Sequence, residues 1–201
     1  MRSSTERRLV SGPAGKIECA VDAPSGAPAV TPRGAALIAH PHPQFGGTLD
    51  NKVVQTLARS FVELGYEAWR PNFRGIGASE GKYDEGRGEI EDLFTIFTHL
   101  GNRKIVLAGF SFGAAMIARL AQRVKAERLV LVGIAVVNFE TPTVPANTLV
   151  IHGEIDETIP LSAVLDWARP QELPVVVVPG ADHFFHRKLQ ALRTIVESNW
   201  K

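Results

Sequence analysis

Gly109-Phe110-Ser111-Phe112-Gly113 follows directly on the apolar run Ile105-Val106-Leu107-Ala108, and no other stretch of the chain constrains its fold as tightly. A short aliphatic run bounded by glycine predicts a buried strand. The residues after it, 114–123, are rich in good helix formers. A serine on so sharp a strand-to-helix turn takes strained backbone angles and has neighbouring backbone packed against it, so glycine is wanted two positions to either side. The turn also aims the positive end of the following helix at Ser111, which suits a serine whose reaction generates an oxyanion. Ser111 is therefore the candidate nucleophile.

Around this turn the chain alternates. Strand-like segments at residues 17–21, 35–40, 66–70, 104–108, 129–134, 148–151 and 175–178 are interleaved with helical patterns. The helices are expected at 51–64, 85–100, 111–125, 161–168 and 188–200, with Gly65 and Gly101 as stop signals for the first two. Near-continuous Val/Ile/Leu strands alternating with helices specify the α/β class: a mostly parallel, doubly wound sheet with helices on both faces. Such sheets hold ligands at the carboxyl ends of their strands. Glycine and proline cluster at 24–32 and 141–145, but both stretches are only loop-length and no internal repeat is visible, so residues 1–201 are expected to form a single domain.

Composition narrows the function class. In 201 residues that are 45% hydrophobic there is enough apolar material for a core without disulfides or metals. Lys+Arg 22 against Asp+Glu 21 leaves a net charge of +1 with no basic block, so there is no electrostatic footprint for nucleic acid. The longest apolar stretch, 129–137, is far too short to span a bilayer, and the arginine-containing amino terminus lacks an apolar h-region. A soluble, unexported, cytoplasmic protein is expected. The one cysteine, Cys19, lies in an alternating segment and reads as a small core residue.

When a nucleophilic serine sits on such a turn, an acid and then a histidine follow it in chain order, each on a loop after a later strand. Of six histidines, His40, His42 and His99 precede Ser111, and His152 ends the strand that should present the acid. His186 falls near the first turn of the last predicted helix, which leaves His183, in the loop after the last strand, as the candidate general base. The loop after 148–151 offers three carboxylates. Asp156 has the reach towards His183; Glu154 is the second choice and Glu157 heads outward. Asp182 adjoins His183, but neighbouring side chains in an extended loop point apart, so it is expected to cap the helix instead.

Two backbone N–H groups are needed for an oxyanion hole, one from Phe112 and one from the loop 40–47. Pro41 and Pro43 have none to give, which leaves His42, Gln44 and Phe45, with His42 favoured as the first donor past the strand end. His40 and His42 stand at i and i+2, but no third ligand accompanies them and no metal is expected. The glycine-rich segment 72–81 resembles a dinucleotide loop, yet Glu80 occupies the place of the third glycine, so a structural loop is expected. Its Arg74 fits either a buried ion pair or the mouth of a cleft. Of the phenylalanines beside these loops, Phe45, Phe110 and Phe184 are expected to line an acyl pocket.

With these residues in place the chain resembles the α/β-hydrolase superfamily over nearly its whole length, Gly109 to Gly113, Asp156 and His183 matching its motif positions. More narrowly, His40-Pro41-His42-Pro43 with Gly46-Gly47, Asn72-Phe73-Arg74-Gly75 and Gly180-Ala181-Asp182-His183-Phe184-Phe185-His186 are similar to the small, lid-less bacterial members described as serine hydrolases or esterases. That resemblance implies a serine hydrolase of poorly defined substrate, and the residues together predict a Ser-His-Asp enzyme that cleaves small esters or thioesters through an acyl-enzyme, without a cofactor, as a monomer or homodimer. Only 13 residues, 135–147, separate residues 134 and 148, where larger lipases often insert a helical lid, so the cleft is expected to be open. An amidase, lactonase or peptidase would use the same three residues. A catalytically silent binding scaffold is the alternative from another class, and the complete order of Ser, Asp and His counts against it.

Overall fold

Strands rich in Val, Ile, Leu and Ala can be satisfied only when both faces of their sheet are covered, and this requirement organises the molecule. The computed structural model describes residues 4–24 and 31–200, so most of the loop expected at 24–32 lies outside the described residues. In chain order the elements are β1 (Ser4–Gly12), β2 (Gly15–Ala23), β3 (Gly34–Ala39), α1 (Lys52–Glu63), β4 (Tyr66–Pro71), α2 (Arg87–Leu100), β5 (Ile105–Phe110) and α3 (Phe112–Leu120). They continue with β6 (Arg128–Val132), β7 (Leu149–Gly153), α4 (Leu161–Ala168), β8 (Val175–Val178) and α5 (Leu189–Ser198). The eight strands form one sheet in the order β1-β2-β4-β3-β5-β6-β7-β8, parallel from β4 through β8 and antiparallel where β2 meets β1 and β4.

The two-residue period of the strands divides the core into two layers. Ala35, Leu37 and Ala39 of β3 face the same side as Leu107, Leu129 and Leu131, and there they meet α2 through Leu93 and Ile96 and α3 through Met116 and Ile117. Ala36 and Ile38 face the other side with Val106, Ala108 and Val130, under Leu57 and Phe61 of α1 and Leu192 and Val196 of α5. Helix α1 starts where Asn51 Oδ1 accepts the Val53 and Val54 N–H groups, a side-chain N-cap.

Strand order reverses between β3 and β5, where Ala39 is paired with Gly109. Open α/β sheets bind ligands at such a switch point because the two crossovers leave in opposite directions and open a crevice between them. Here it sets the loop after β3 beside the Ser111 turn.

Several sequence expectations are corrected. The amino-terminal region is a hairpin of two nine-residue strands rather than one strand over 17–21. Strand β1 is an edge whose residues 5–9 are exposed, so it has no alternating apolar face to reveal it. The helix expected over 111–125 ends at Leu120, and the strand expected over 129–134 ends at Val132, where Gly133 turns with φ 52°. The last helix begins at Leu189, later than expected, because Phe185 and Arg187 hold positive φ angles of 55° and 60°. Between β6 and β7 there is no helix.

Candidate active site

Ser111 stands at the end of β5 with φ 56° and ψ −117°, a strained conformation for a residue with a side chain. Its N–H donates to Val132 O at 2.9 Å, which holds the turn against β6. A Cβ on Gly109 would come within 2.5 Å of the Gly113 carbonyl carbon, and one on Gly113 within 2.5 Å of His40 O. Glycine at both positions is therefore a packing requirement: it lets α3 begin directly behind the serine and against the end of β3.

The structure brings Ser111, His183 and Asp156 together. His183 Nε2 lies 3.0 Å from Ser111 Oγ, and His183 Nδ1 lies 2.7 Å from Asp156 Oδ2. All three residues are nearly buried. A carboxylate only accepts, so Nδ1 carries the ring proton and Nε2 is free to accept the serine hydroxyl. The other carboxylate oxygen, Oδ1, accepts the N–H groups of Thr158 and Ile159 at 2.9 and 2.8 Å, which locks the Asp156 side chain.

Glu154, the second choice for the acid, points elsewhere: its Oε2 accepts the Gly180 N–H at 2.8 Å. Asp182 does not cap α5; it accepts the His186 N–H at 3.0 Å and meets His186 Nδ1 at 2.6 Å, within the turn that precedes the helix. The acid and histidine loops touch because Gly153 has no side chain: a Cβ there would sit 2.5 Å from Ala181 O.

His152, set aside in the sequence reading as a strand-end residue, lies under the acid. Its buried Nε2 is 2.9 Å from Ile159 O and 3.5 Å from Asp156 Oδ2. The Ile159 carbonyl is an acceptor, so Nε2 bears the proton, while the buried Nδ1 has no hydrogen-bond partner among the described residues. Burial pushes the His152 pKa down, so the ring stays neutral beside Asp156.

After β3, His40 and His42 are both fully engaged. His40 Nδ1 donates to Pro41 O at 2.6 Å and its Nε2 accepts the Phe73 N–H at 3.0 Å. His42 Nδ1 accepts the Gln44 N–H at 3.2 Å, so its Nε2–H is the donor to Tyr83 Oη at 3.1 Å. Neither ring keeps a free lone pair for a metal. The Phe45 N–H donates to His42 O at 3.1 Å, so of the three N–H groups considered for the oxyanion, those of Gln44 and Phe45 are spent.

A cavity of about 260 Å³ opens beside Ser111, with Phe45, Phe112, Phe139 and His42 among its walls. Phe110 and Phe184, expected to line it, do not. Phe110 is fully buried, its ring 5.0 Å from that of His183, and the half-exposed Phe184 meets His183 edge to face at 5.1 Å. The residue missed is Phe139; its only sequence signal is an aromatic ring in the short connection between β6 and β7.

Arg74, left open between two roles, forms a two-pronged ion pair with Asp92, both contacts 2.8 Å. Its guanidinium lies so close over Gly88 that a side chain there would strike it. Gly75, Gly77 and Gly81 of the same loop all have positive φ, consistent with a structural role for the glycine-rich segment. Among the described residues no helix is long and apolar enough to cross a membrane.

The alpha/beta hydrolase fold family model matches residues 42–145. An uncharacterised protein of Rickettsia prowazekii is 31% identical to the chain, the match covering 90% of the chain and 82% of that protein. Among solved structures, an alpha-beta serine hydrolase homologue from Coxiella burnetii is 38% identical, with a TM-score of 0.86 and 96% of each chain covered. A serine hydrolase without a lid from Xanthomonas campestris is 34% identical, with a TM-score of 0.87 and coverage of 99% of this chain and 94% of that one.

Proposed function

The chain belongs to the α/β-hydrolase fold family, and from that premise we propose that it cleaves small carboxylic esters or thioesters through an acyl-enzyme, with Ser111 as nucleophile, His183 as general base and Asp156 as its orienting partner. The observation that carries this reading is the unbroken chain from Ser111 Oγ to His183 Nε2 at 3.0 Å and from His183 Nδ1 to Asp156 Oδ2 at 2.7 Å. In this reading residues 1–201 act as a single domain, a monomer or homodimer in the cytoplasm, on a small molecule rather than on nucleic acid or a membrane. The balanced charge and the single eight-stranded sheet support it.

The mechanism follows from the atoms. Ser111 Oγ attacks the substrate carbonyl carbon as its proton passes to His183 Nε2, and the imidazolium is stabilised by Asp156 through Nδ1–H. The new oxyanion is held by the N–H of Phe112, at the start of α3, and by the N–H of His42, the donor that remains once Gln44 and Phe45 are spent. The positive end of α3 adds to this stabilisation. Collapse of the tetrahedral intermediate expels the alcohol or thiol, which takes the proton from His183. Water then attacks the acyl carbon as its proton passes to His183 Nε2, and cleavage of the bond to Ser111 Oγ, which takes that proton back, releases the acid. The absence of a helix between β6 and β7 favours compact acyl groups that reach Ser111 without a lid.

The test is a burst assay with p-nitrophenyl esters of increasing acyl length, alongside labelling by a serine-reactive phosphonate. Turnover and a phosphonate adduct at Ser111, both lost in Ser111→Ala, support the reading. A chain with neither is a binding scaffold.

A further inference from the structure

The walls of the cavity beside Ser111 are aromatic to a degree that the hydrolase chemistry alone does not require. The His42 ring stands 4.8 Å from Phe45, 4.9 Å from Phe112 and 5.9 Å from Phe139, all in tilted geometry. Phe112 and Phe139 meet edge to face at 4.9 Å and 71°. Phe45, Phe139 and His42 thus line, together with Ser111, a space of about 260 Å³, and the Phe112 ring is buried behind them.

One of these rings is left largely outside the core, and a second packs only on its margin. Phe45 is 85% exposed, although its backbone is stiffly held: it closes a 3-10 turn with Pro43 at its start, donates to His42 O at 3.1 Å, and is followed by Gly46 in the left-handed region. A large apolar ring presented to water by a rigid turn gains nothing from the fold, but it gains contact area when a ligand covers it. Phe139 sits on a connection without secondary structure and is only partly buried, its ring edge against Phe112. The imidazole between them has its tautomer set by the Gln44 N–H and Tyr83 Oη, and burial pushes its pKa down, so this wall is a neutral ring.

We propose that this cavity is an acyl site for a planar aromatic group, laid against the exposed Phe45 ring and the Phe139 and His42 rings, with the buried Phe112 ring packed behind them. The inference rests on the hydrolase reading above for the position of the carbonyl. His42 and Phe112, whose N–H groups hold that carbonyl, also line the cavity, so the group attached to the carbonyl carbon is the first to reach the rings. An aromatic acyl group meets its neighbours in offset or edge-to-face contacts, which favour it over a saturated ring of the same size by roughly threefold to tenfold beyond area burial.

The experiment compares kcat/KM for p-nitrophenyl phenylacetate and p-nitrophenyl cyclohexylacetate. In both, a methylene insulates the carbonyl from the ring, and their rates of hydroxide hydrolysis provide the intrinsic correction. The corrected ratio is expected to favour the phenyl ester by at least about threefold. It should fall towards one in Phe45→Leu, a change at an exposed position that does not endanger folding, and in Phe139→Leu. A ratio at or below one in the wild type, or a ratio that neither variant alters, overturns the proposal. Binding of phenylacetate and cyclohexylacetate is followed in parallel by amide chemical shifts of residues 45, 112 and 139. A chain that turned over no ester at all would sink the hydrolase reading, while this binding comparison would still decide whether the cavity prefers the aromatic ring: tighter binding of phenylacetate supports it, and equal binding overturns it.

Discussion

The Glu154 carboxylate accepts the Gly180 N–H at 2.8 Å, tying the loop after β7 to the loop after β8 two residues before Asp156 and three before His183. A carboxylate that competes by sequence position for the role of catalytic acid thus serves as a strut between the two catalytic loops. Asp156, two residues farther into the loop, is left to face His183 Nδ1.

That division of labour separates the two carboxylates in kinetics. Asp156→Asn keeps an acceptor for the Thr158 and Ile159 N–H groups but places the wrong partner against His183, and kcat should fall by about three to four orders of magnitude. Glu154→Gln keeps a carbonyl acceptor for Gly180 and should retain activity within about threefold, because neutral hydrogen bonds differ from charge-assisted ones by only a kcal/mol or so. Steady-state kinetics of the two variants, with circular dichroism to confirm folding, checks this. Equal losses in both would assign the acid wrongly.

The strained backbone at Ser111 has a cost that can be measured apart from catalysis. Ser111→Gly and Ser111→Ala both lack the hydroxyl, yet only alanine must hold a Cβ at φ 56°. The glycine variant should be more stable than the alanine variant by about 1 kcal/mol, and both should be inactive. Urea unfolding midpoints of the pair provide the comparison; an alanine variant as stable as the glycine one would mean that the turn carries no strain.

His152 closes the acid loop from beneath, through its Nε2–H to Ile159 O. His152→Phe fills similar space but leaves that buried carbonyl without its donor, a loss of about 1–3 kcal/mol in unfolding free energy. Turnover should also fall, because the loop that fixes Asp156 loses its anchor. Denaturant melts and kcat measured on the same preparation test both effects. Unchanged stability would show that the loop holds itself.

Acid should destabilise the fold through His40. Burial pushes its pKa down to about 4 from 6.5, with both ring nitrogens already engaged as donor and acceptor. Between those two values the unfolded chain binds a proton that the folded chain refuses, so stability is full above pH 6.5, falls as the pH drops through the window, and levels off below pH 4. At pH 5 the expected loss from this group is about 2 kcal/mol. His42 and His152, pushed down in the same sense, add to it. Unfolding free energies at pH 7.5 and pH 5, with a His40→Gln variant showing a flatter profile, check the sign; greater stability at pH 5 would contradict it.

Much of this architecture is local in origin and so can be read along the chain. The run Ile105 to Ala108 is apolar because β5 is buried on both faces, and the glycines around Ser111 are there because backbone passes within 2.5 Å of where their side chains would be. Chain order together with the predicted strand and helix ends singles out His183, since that elimination needs no coordinates. The edge strand β1 escaped detection because residues 5–9 are exposed on both faces of the strand, which leaves no apolar alternation to read.

Other features depend on which parts of the chain meet. Asp156, Glu154 and Asp182 are all carboxylates, and it is the close approach of the two loops at Gly153 and Ala181, with the N–H groups that each carboxylate meets, that turns one towards His183 and the others away from it. Phe110 and Phe184 flank catalytic positions in sequence yet lie beneath and outside His183, because the strand period turns Phe110 into the core, whereas Phe139 arrives at the cavity from a different connection. Strand periodicity, glycine spacing and chain order are properties of a one-dimensional string under local sterics, and they determine the sheet, the turn and the order of the candidate triad. Which side chains share a cavity, and which carboxylate faces the imidazole, is set by contacts between residues far apart in the chain, whose orientations exist only once the sheet has closed around them.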